Sequence, residues 1–276
     1  MRRKKIILGS GKVSKVFYSL DKENTIIIPR TECDITRIEE VDRIIEKHRP
    51  DVVINCAART NLEYCEESKS DALCVNTLGP VNVLNSCAKK NIKFVHISSG
   101  CLFDGNKVLS TEKSEPSPSV WYTWTKKWAD EAILNHFYKD VLILRPRQLV
   151  SKVAHPSNLI TKFLGFKEIS AIDEANSITC IEDLFEMMEH LLDCDSTGIF
   201  NCANTEIITP YEISLMIKRQ LNPQMSVKKV SYEELLKRMP NRRVNTVLSV
   251  EKLISTGYTP RTAKEAVDWC LKNYEE

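Results

Sequence analysis

The stretch KIILGSGKVS, residues 5–14, decides the fold that the sequence predicts. A short, mostly apolar run is followed by two glycines, and Val13–Leu20 then shows helical spacing. In such a strand–turn–helix, glycine lets the backbone approach a pyrophosphate, and the free N–H groups at the helix start bind it. Ser14 replaces the third glycine of the usual fingerprint, so a tight turn without a ligand is the alternative. We predict a dinucleotide-binding loop that consists of Gly9, Ser10, Gly11, Lys12 and Val13.

The first half of the chain alternates between strand and helix patterns. The strands read as continuous apolar runs, which is typical of a parallel sheet that is covered on both faces. Predicted strands are 5–8, 25–28, 51–55, 93–97 and 141–144, and the helices are 13–20, 38–48, 72–89 and 122–137. We predict an α/β fold with a Rossmann-like doubly wound parallel sheet and a smaller C-terminal substrate domain.

The pattern loosens after Arg145, which indicates a second domain. Predicted helices at 212–221, 233–238 and 263–272 lie there among proline-marked turns. We assign residues 1–150, with about 171–204, to an NADP-binding Rossmann domain. The substrate-binding domain is expected to comprise about 151–170 and 205–276.

The composition excludes several classes of protein. In 276 residues, 39 Lys and Arg are mixed with 37 Asp and Glu, so no basic surface for nucleic acid is predicted. No apolar run reaches the roughly 18 residues of a membrane span, and the three apolar residues after the basic start are too few for a signal peptide. The ten cysteines lack C-x-x-C spacing, which favours reduced thiols over disulfides or zinc ligands. We expect a cytoplasmic protein without a bound metal.

The end of the second predicted strand bears on the choice of cofactor. NAD-binding fingerprints normally carry an acid about 20 residues after the glycines, where it holds the ribose 2′-hydroxyl. This chain reads Ile28-Pro29-Arg30, so no carboxylate repels a 2′-phosphate and Arg30 could pair with one. We predict NADPH rather than NADH, with a solvated strand-end charge as the alternative for Arg30.

A tyrosine and a lysine form the candidate reactive group. Tyr122 and Lys126 are four residues apart on a predicted helix, and hence on one face. A phenol with a pKa of about 10 is a poor acid or base at neutral pH, and an adjacent cation lowers that pKa because it favours phenolate. Ser98 and Ser99 follow a predicted strand, at the sheet edge where parallel-sheet active sites lie.

These motifs, in this order, resemble the extended short-chain dehydrogenase/reductase family, in particular its dTDP-4-dehydrorhamnose reductases. The segments that carry the resemblance are 50–60, 75–80, 94–99, 173–184 and 242–248. The resemblance implies that Tyr122 is the proton donor, that Lys126 is its modulator and a ribose ligand, and that Ser99 binds the substrate carbonyl. It places Asn158 and Arg242 on the nucleotide-sugar diphosphate, with a helix cap and a solvated charge as their alternatives. The further cofactor contacts that we predict are Asp34, Ile35, Cys56, Ala57, Ala58, Thr60 and Ser98.

Residues 98–105 depart from the reductase pattern. Where the reductases read S-T-D-Y-V-F-D-G, this chain reads S-S-G-C-L-F-D-G. This segment, with 144–147, 156–162 and 176–179, is similar to the bifunctional 3,5-epimerase/4-reductases that complete UDP-L-rhamnose. The similarity implies that Cys101 and Lys162 are acid and base in an epimerase step, with a packing thiol and a surface charge as the alternatives. The other substrate contacts that we predict are Gly100, Arg147 and Asn245.

The expected activity is NADPH-dependent reduction of a nucleotide-linked 4-keto-6-deoxyhexose at C4, with 3,5-epimerase activity in the same site. The 4-keto group acidifies C3–H and C5–H, and inverting either centre requires a base on one face of the sugar and an acid on the other. The alternatives are a reductase for an N-acetylated 4-keto-6-deoxyhexose nucleotide and a non-catalytic NADP-binding regulatory subunit. UDP and dTDP both remain open, and so does a homodimer.

Overall fold

The computed structural model describes residues 3–103, 109–238 and 245–275. Its strands are β1 (Lys5–Leu8), β2 (Thr25–Ile28), β3 (Val52–Asn55), β4 (Lys93–Ile97), β5 (Leu109–Ser110), β6 (Val141–Pro146), β7 (Leu149–Val150), β8 (Glu168–Ile172), β9 (Thr179–Cys180), β10 (Gly198–Cys202), β11 (Ser226–Val230) and β12 (Val247–Leu248). Its helices are α1 (Lys12–Leu20), α2 (Ile38–His48), α3 (Leu62–Glu67), α4 (Lys69–Leu73), α5 (Gly79–Lys90), α6 (Trp121–Asn135), α7 (Leu159–Leu164), α8 (Ile181–Asp193), α9 (Pro210–Gln220), α10 (Tyr232–Lys237), α11 (Glu251–Ile254) and α12 (Ala263–Lys272).

A six-stranded sheet in the order β10-β6-β4-β3-β1-β2 confirms the predicted Rossmann-like architecture. β1 pairs in parallel with both β2 and β3, and the parallel pairing continues from β3 to β4 and from β4 to β6. The connections from β1 and β3 leave in opposite directions, which makes their carboxyl ends the topological switch point of the sheet. Ligands of parallel α/β sheets bind at such a point.

Apolar packing on both faces of the sheet explains why its strands lack polar alternation. Every residue of β1 and β3 is buried. Ile6 of β1 belongs to one core cluster with Val41 of α2 and Val83 of α5. Burying an aliphatic side chain of this size contributes about 1.5–3 kcal/mol, so this cluster fixes the sheet that carries the switch point.

The predicted helix at 72–89 is helical throughout, but its hydrogen-bonding pattern is not uniform. The structure has α4, then a π-helical segment at Cys74–Leu78, then α5. Pro80 lies in the first turn of α5, and because proline has no N–H it cannot donate to the carbonyl one turn earlier. A π-helical segment accommodates the interruption. α6, with 15 residues, is the longest described helix, and no helix within the described ranges is long and apolar enough to cross a membrane.

The described residues group into two compact units. The first lies within 1–102, 118–145 and 192–200, and the second within 103–117, 146–191 and 201–276. Residues 103–117, 146–150, 171–191 and 201–204, which were assigned to the cofactor domain from the sequence, group with the second unit, whereas 192–200 group with the first. That unit contains the parallel pair β8–β11 and a core that joins Ile160, Ile213 and Val267 from α7, α9 and α12. The assignment of the units to cofactor and substrate stays a prediction.

Candidate active site

The glycine loop after β1 needs glycine at its first position for two reasons. Gly9 has a φ of +97°, and a Cβ there would lie 3.0 Å from backbone atoms of Ala57. Gly11 is different, because a Cβ at that position would meet nothing within 4 Å. Gly11 is the N-cap of α1, so an open space borders the free N–H groups at the start of this helix. Ser14 is fully buried, so a small side chain fills the place of the third glycine.

A cavity of about 200 Å³ lies beside this loop. Its lining includes nine of the predicted cofactor residues, which are Gly9, Ser10, Gly11, Arg30, Asp34, Ile35, Cys56, Ala57 and Ala58. The remaining lining residues are Cys33, Arg59 and Val75. Lys12 and Val13 begin α1, Thr60 is exposed in the loop before α3, and Ser98 follows β4. The sequence therefore located one real concavity of the first unit.

Arg30 has a carboxylate neighbour that the sequence analysis did not anticipate. Its guanidinium Nη2 lies 3.1 Å from Oδ2 of Asp34 and its Nε lies 3.2 Å from the same oxygen. Burial acts to raise the pKa of Asp34, but hydrogen bonds from Thr36 and Arg30 outweigh it and lower that pKa. Arg30 is exposed, so its charge is partly neutralised but remains accessible at the cavity.

Asn76 fixes the loop that follows β3. Its Oδ1 accepts the Arg59 backbone N–H at 2.7 Å, and its Nδ2 donates to the Arg59 carbonyl and to Thr125 Oγ1, both at 3.0 Å. The residue is fully buried in the π-helical segment. This segment therefore ties one wall of the cavity to α6, a role that the sequence analysis did not assign to Asn76.

The residues after β4 form a tight turn. Ser98 and Ser99 are each 6% exposed, and Gly100–Leu102 makes a single 3₁₀ turn. Ser99 Oγ accepts the backbone N–H of Cys101 at 3.1 Å. Ser98 Oγ is buried, with no hydrogen-bond partner among the described residues. Cys101 is half-buried and forms no disulfide.

Lys126 is held deep inside the first unit, 1% exposed. Its Nζ lies 3.0 Å from the Ile97 carbonyl oxygen and 3.1 Å from His96 Nε2. Burial lowers the pKa of Lys126 to about 8, although Asp130 and Cys56 act to raise it. Tyr122 lies one turn earlier on α6, half-buried and on the same helix face, as the four-residue spacing predicted.

The second unit places Asn158 as the N-cap of α7. Its Oδ1 accepts the Ile160 N–H at 3.3 Å, and its Nδ2 donates to the carbonyls of Ser151 and Val153 at 2.8 and 2.9 Å. The side chain is fully buried. Both donors and the acceptor are engaged, as the helix-cap alternative for Asn158 expects, and a contact with a diphosphate stays a prediction.

The other predicted residues of the second unit have varied surroundings. Arg147 is 9% exposed, and its backbone N–H donates to Thr179 Oγ1. Asn245 Nδ2 donates to Glu174 at 3.2 Å. Lys162 is exposed on α7, as the surface-charge alternative expects, and its role in an epimerase step stays a prediction. Arg242 and the end of the 98–105 segment lie outside the described residues.

One group of three potential metal ligands occurs within the described ranges. The side chains of Cys180, Glu182 and Cys270 are buried, with ligand atoms within 4.8 Å of one another. Cys180 Sγ donates to Glu182 at 3.1 Å, and the Arg261 guanidinium lies 3.9 Å from the same sulfur. The hydrogen bond with Cys270 and burial raise the pKa of Cys180. A protonated thiol beside a cation disfavours metal binding, and we assign no metal to this group.

Together, the glycine loop, the cavity and the α6 pair have the layout of a short-chain dehydrogenase/reductase. The sequence matches the RmlD substrate binding domain family over residues 7–276. The chain therefore belongs to this family, and the resemblance seen in its motifs is confirmed.

Individual relatives agree with this family membership. A bifunctional dTDP-4-dehydrorhamnose 3,5-epimerase/dTDP-4-dehydrorhamnose reductase of Arabidopsis thaliana is 27% identical over 221 residues, which cover 76% of this chain and 72% of the relative. The crystal structure of Bacillus anthracis dTDP-4-dehydrorhamnose reductase in complex with NADP has a TM-score of 0.89 at 23% identity and covers 99% of both chains. The UDP-rhamnose synthase of Acanthamoeba polyphaga mimivirus has a TM-score of 0.86 at 24% identity, covering 99% of this chain and 100% of that one.

Proposed function

We propose that this protein is an NADPH-dependent reductase that acts at C4 of a nucleotide-linked 4-keto-6-deoxyhexose. The observation that carries the proposal is the placement of Tyr122 one turn from a buried Lys126, whose Nζ is anchored to the carboxyl end of β4. Ser98 and Ser99 follow this strand directly. The names of the Arabidopsis and mimivirus relatives support the choice of substrate class.

The first unit offers a fitting site for NADPH. The open space at Gly11 and the N-terminus of α1 suit a pyrophosphate, and Arg30 would hold the 2′-phosphate in competition with Asp34. The unpartnered hydroxyl of Ser98 lies at the carboxyl end of β4, on the same edge of the sheet, where a bound group could satisfy it. When bound, NADPH supplies the hydride that reduces C4.

The protein's own residues would then supply the proton that the C4 oxygen takes up. Ser99 Oγ already accepts a hydrogen bond from Cys101, so its own hydrogen is available to the C4 carbonyl oxygen. Tyr122 donates a proton to that oxygen as the hydride arrives. Lys126, one turn away, supplies the positive charge that stabilises the resulting phenolate.

The test is Tyr122→Phe assayed with NADPH and pre-epimerised 4-keto-6-deoxyhexose nucleotides carrying either UDP or dTDP. We expect NADPH oxidation to fall by about 10³-fold because the proton donor is lost, while NADPH binding measured by fluorescence is retained. Tyr18→Phe, on the exposed side of α1, is the matched control and keeps wild-type turnover. Retained turnover in Tyr122→Phe would refute the assignment, and a wild-type protein that binds NADPH without oxidising it would favour a regulatory subunit.

We also propose that the same protein epimerises C3 and C5, with Cys101 and Lys162 as the proton carriers. The half-buried thiol of Cys101, two residues after Ser99 in the same 3₁₀ turn as Gly100, supports a position near the sugar. In deuterated water, the unepimerised 4-keto-6-deoxyglucose nucleotide should gain deuterium at both carbons without reduction. Cys101→Ser should lose this exchange, whereas Cys194→Ser, at an exposed cysteine, should retain it. No exchange in the wild-type protein would reject the epimerase step and leave the reductase intact.

A further inference from the structure

A chain of buried hydrogen-bonding side chains leads to Lys126. Asn55 at the end of β3, His96 in β4 and Lys126 in α6 are all 1% exposed or less. Asn55 Nδ2 lies 3.2 Å from His96 Nδ1, and His96 Nε2 lies 3.1 Å from Lys126 Nζ. None of the motifs in the sequence pointed to a role for Asn55 or His96.

The orientation of the Asn55 amide is fixed by the backbone. Asn55 Oδ1 accepts the N–H of Ala57 at 3.1 Å, so the amide NH₂ is the group that faces His96. An amide NH₂ can only donate. His96 Nδ1 must therefore be the unprotonated ring nitrogen, and a neutral His96 carries its hydrogen on Nε2. Burial and the charge of Lys126 lower the pKa of His96, which keeps the ring neutral.

This tautomer presents a donor to Lys126. A neutral amine can accept the Nε2–H hydrogen bond and still donate to the Ile97 carbonyl at 3.0 Å. An ammonium has no lone pair, so two donors would face each other across 3.1 Å. The alternative tautomer removes that conflict but creates the same conflict between His96 Nδ1–H and the Asn55 amide.

We propose that His96, held in its Nε2–H tautomer by Asn55, is a positioning residue that sets the charge state of Lys126. The proposal rests on the proposed reductase function. After Tyr122 has protonated the sugar oxygen, its phenolate must regain a proton. His96 destabilises the ammonium form of Lys126. This ammonium therefore releases its proton more readily to the Tyr122 phenolate, one turn away on α6. The resulting amine then accepts from His96 Nε2–H, and solvent restores the proton once product has left.

The other charged and titratable groups around Lys126 do not cancel the influence of His96 on its charge state. Asp130 lies one turn later on α6 and favours the ammonium, but Arg145 of β6 holds its Oδ2 at 2.8 Å and competes for its charge. Cys56, after β3, acts in the same direction as Asp130. Burial raises the pKa of Cys56 to about 12, so its thiol is uncharged at neutral pH. Burial and the donor on His96 together oppose the ammonium.

The first test is nitrogen-15 NMR of His96 in the wild-type protein, without cofactor or substrate. At a pH above the Lys126 midpoint we expect a protonated Nε2 and an unprotonated Nδ1. A protonated Nδ1 would overturn the proposal. Because this measurement uses no variant, it decides the point even if the variants below do not fold.

The second test follows the Lys126 charge through its ¹³Cε signal, assigned by its loss in Lys126→Met. Asn55→Asp accepts from Nδ1–H and so reverses the tautomer, and His96→Gln can turn its amide oxygen toward Nζ. Each should raise the midpoint by about one pH unit, a roughly tenfold change in the amine-to-ammonium ratio. His136→Gln is the matched control, since His136 Nε2 also pairs with an asparagine, Asn85, at 3.1 Å. An unchanged midpoint in both variants contradicts the proposal.

Turnover provides a readout that a merely structural role would not move. The pH at which kcat declines on the alkaline side should rise in Asn55→Asp and His96→Gln together with the Lys126 midpoint. A lower kcat with an unshifted profile would indicate a structural role and overturn the proposal. Absence of any NADPH oxidation by the wild-type protein would instead refute the proposed function, and the NMR results would still report on His96.

Discussion

The sequence predicts an acid–base role for both Lys126 and Lys162, and the structure gives these two side chains opposite surroundings. Lys126 is 1% exposed, bonded to a strand carbonyl and a histidine, and burial lowers its pKa to about 8. Lys162 is exposed on the short helix α7. The first unit therefore contains a buried lysine with a lowered pKa, whereas Lys162 of the second unit is exposed to solvent. Removing water from an ammonium lowers its pKa, and the fold does this to Lys126.

The largest expected effect separates the two lysines by activity. Lys126→Met should lower reduction of a pre-epimerised substrate by about 10³-fold, because the charge that stabilises the Tyr122 phenolate is lost. Lys162→Met should instead abolish deuterium exchange at the carbon that Lys162 serves. Lys127→Met, beside Lys126 but paired with Glu131 at 3.5 Å, is the control and should retain both activities. Equal loss of reduction in the Lys126 and Lys162 variants would contradict separate roles for the two lysines.

A smaller effect should appear in the stability of the fold as pH changes. The pKa of Lys126 falls from 10.5 to about 8 on folding, so below pH 8 the folded state carries the full cost of a buried ammonium. Between these two values the unfolded chain binds more protons, and stability rises with pH. The gain is about 3 kcal/mol relative to Lys126→Met, in which this site does not titrate.

Urea unfolding of the wild type and Lys126→Met on either side of this range measures the gain. Other groups that titrate at alkaline pH are common to both proteins and cancel in the difference. A difference in unfolding free energy that stays constant with pH would contradict the buried, tuned state of Lys126.

The smallest effect concerns Asn158, the counterpart in the second unit of the buried Asn55. Asn158→Ala should destabilise the protein by about 2 kcal/mol, because it removes the α7 cap and leaves two buried carbonyls without their donor. Asn273→Ala removes one exposed hydrogen bond and is the control. Unchanged stability combined with weaker substrate binding would support the predicted diphosphate role instead.

The first unit was largely predictable because its signals are local. A buried parallel strand reads as a continuous apolar run, and a glycine pair between strand and helix marks its own turn, so residues 5–14 located the cavity and the switch point. The Tyr122–Lys126 spacing gave a shared helix face for the same reason. These features depend on neighbours within a few residues.

What could not be predicted depends on contacts between distant residues. Asn55 and His96 are 41 residues apart, so their tautomer control is invisible until β3 and β4 pair. The same holds for Asp34 and Arg30. The sequence shows an acid close to the arginine, but not that the two side chains pair. The exposure of Lys162 likewise follows from the packing of α7, which the P-x-N-x-I-T-K motif does not encode.

The proposed reductase activity is tested most directly by NADPH consumption. The wild-type protein is supplied with UDP- and dTDP-linked 4-keto-6-deoxyhexoses, each before and after epimerisation. We predict stoichiometric oxidation of NADPH and formation of the corresponding 6-deoxyhexose nucleotide with at least the epimerised sugar. NADPH binding without oxidation across the whole panel would contradict the proposed reductase activity.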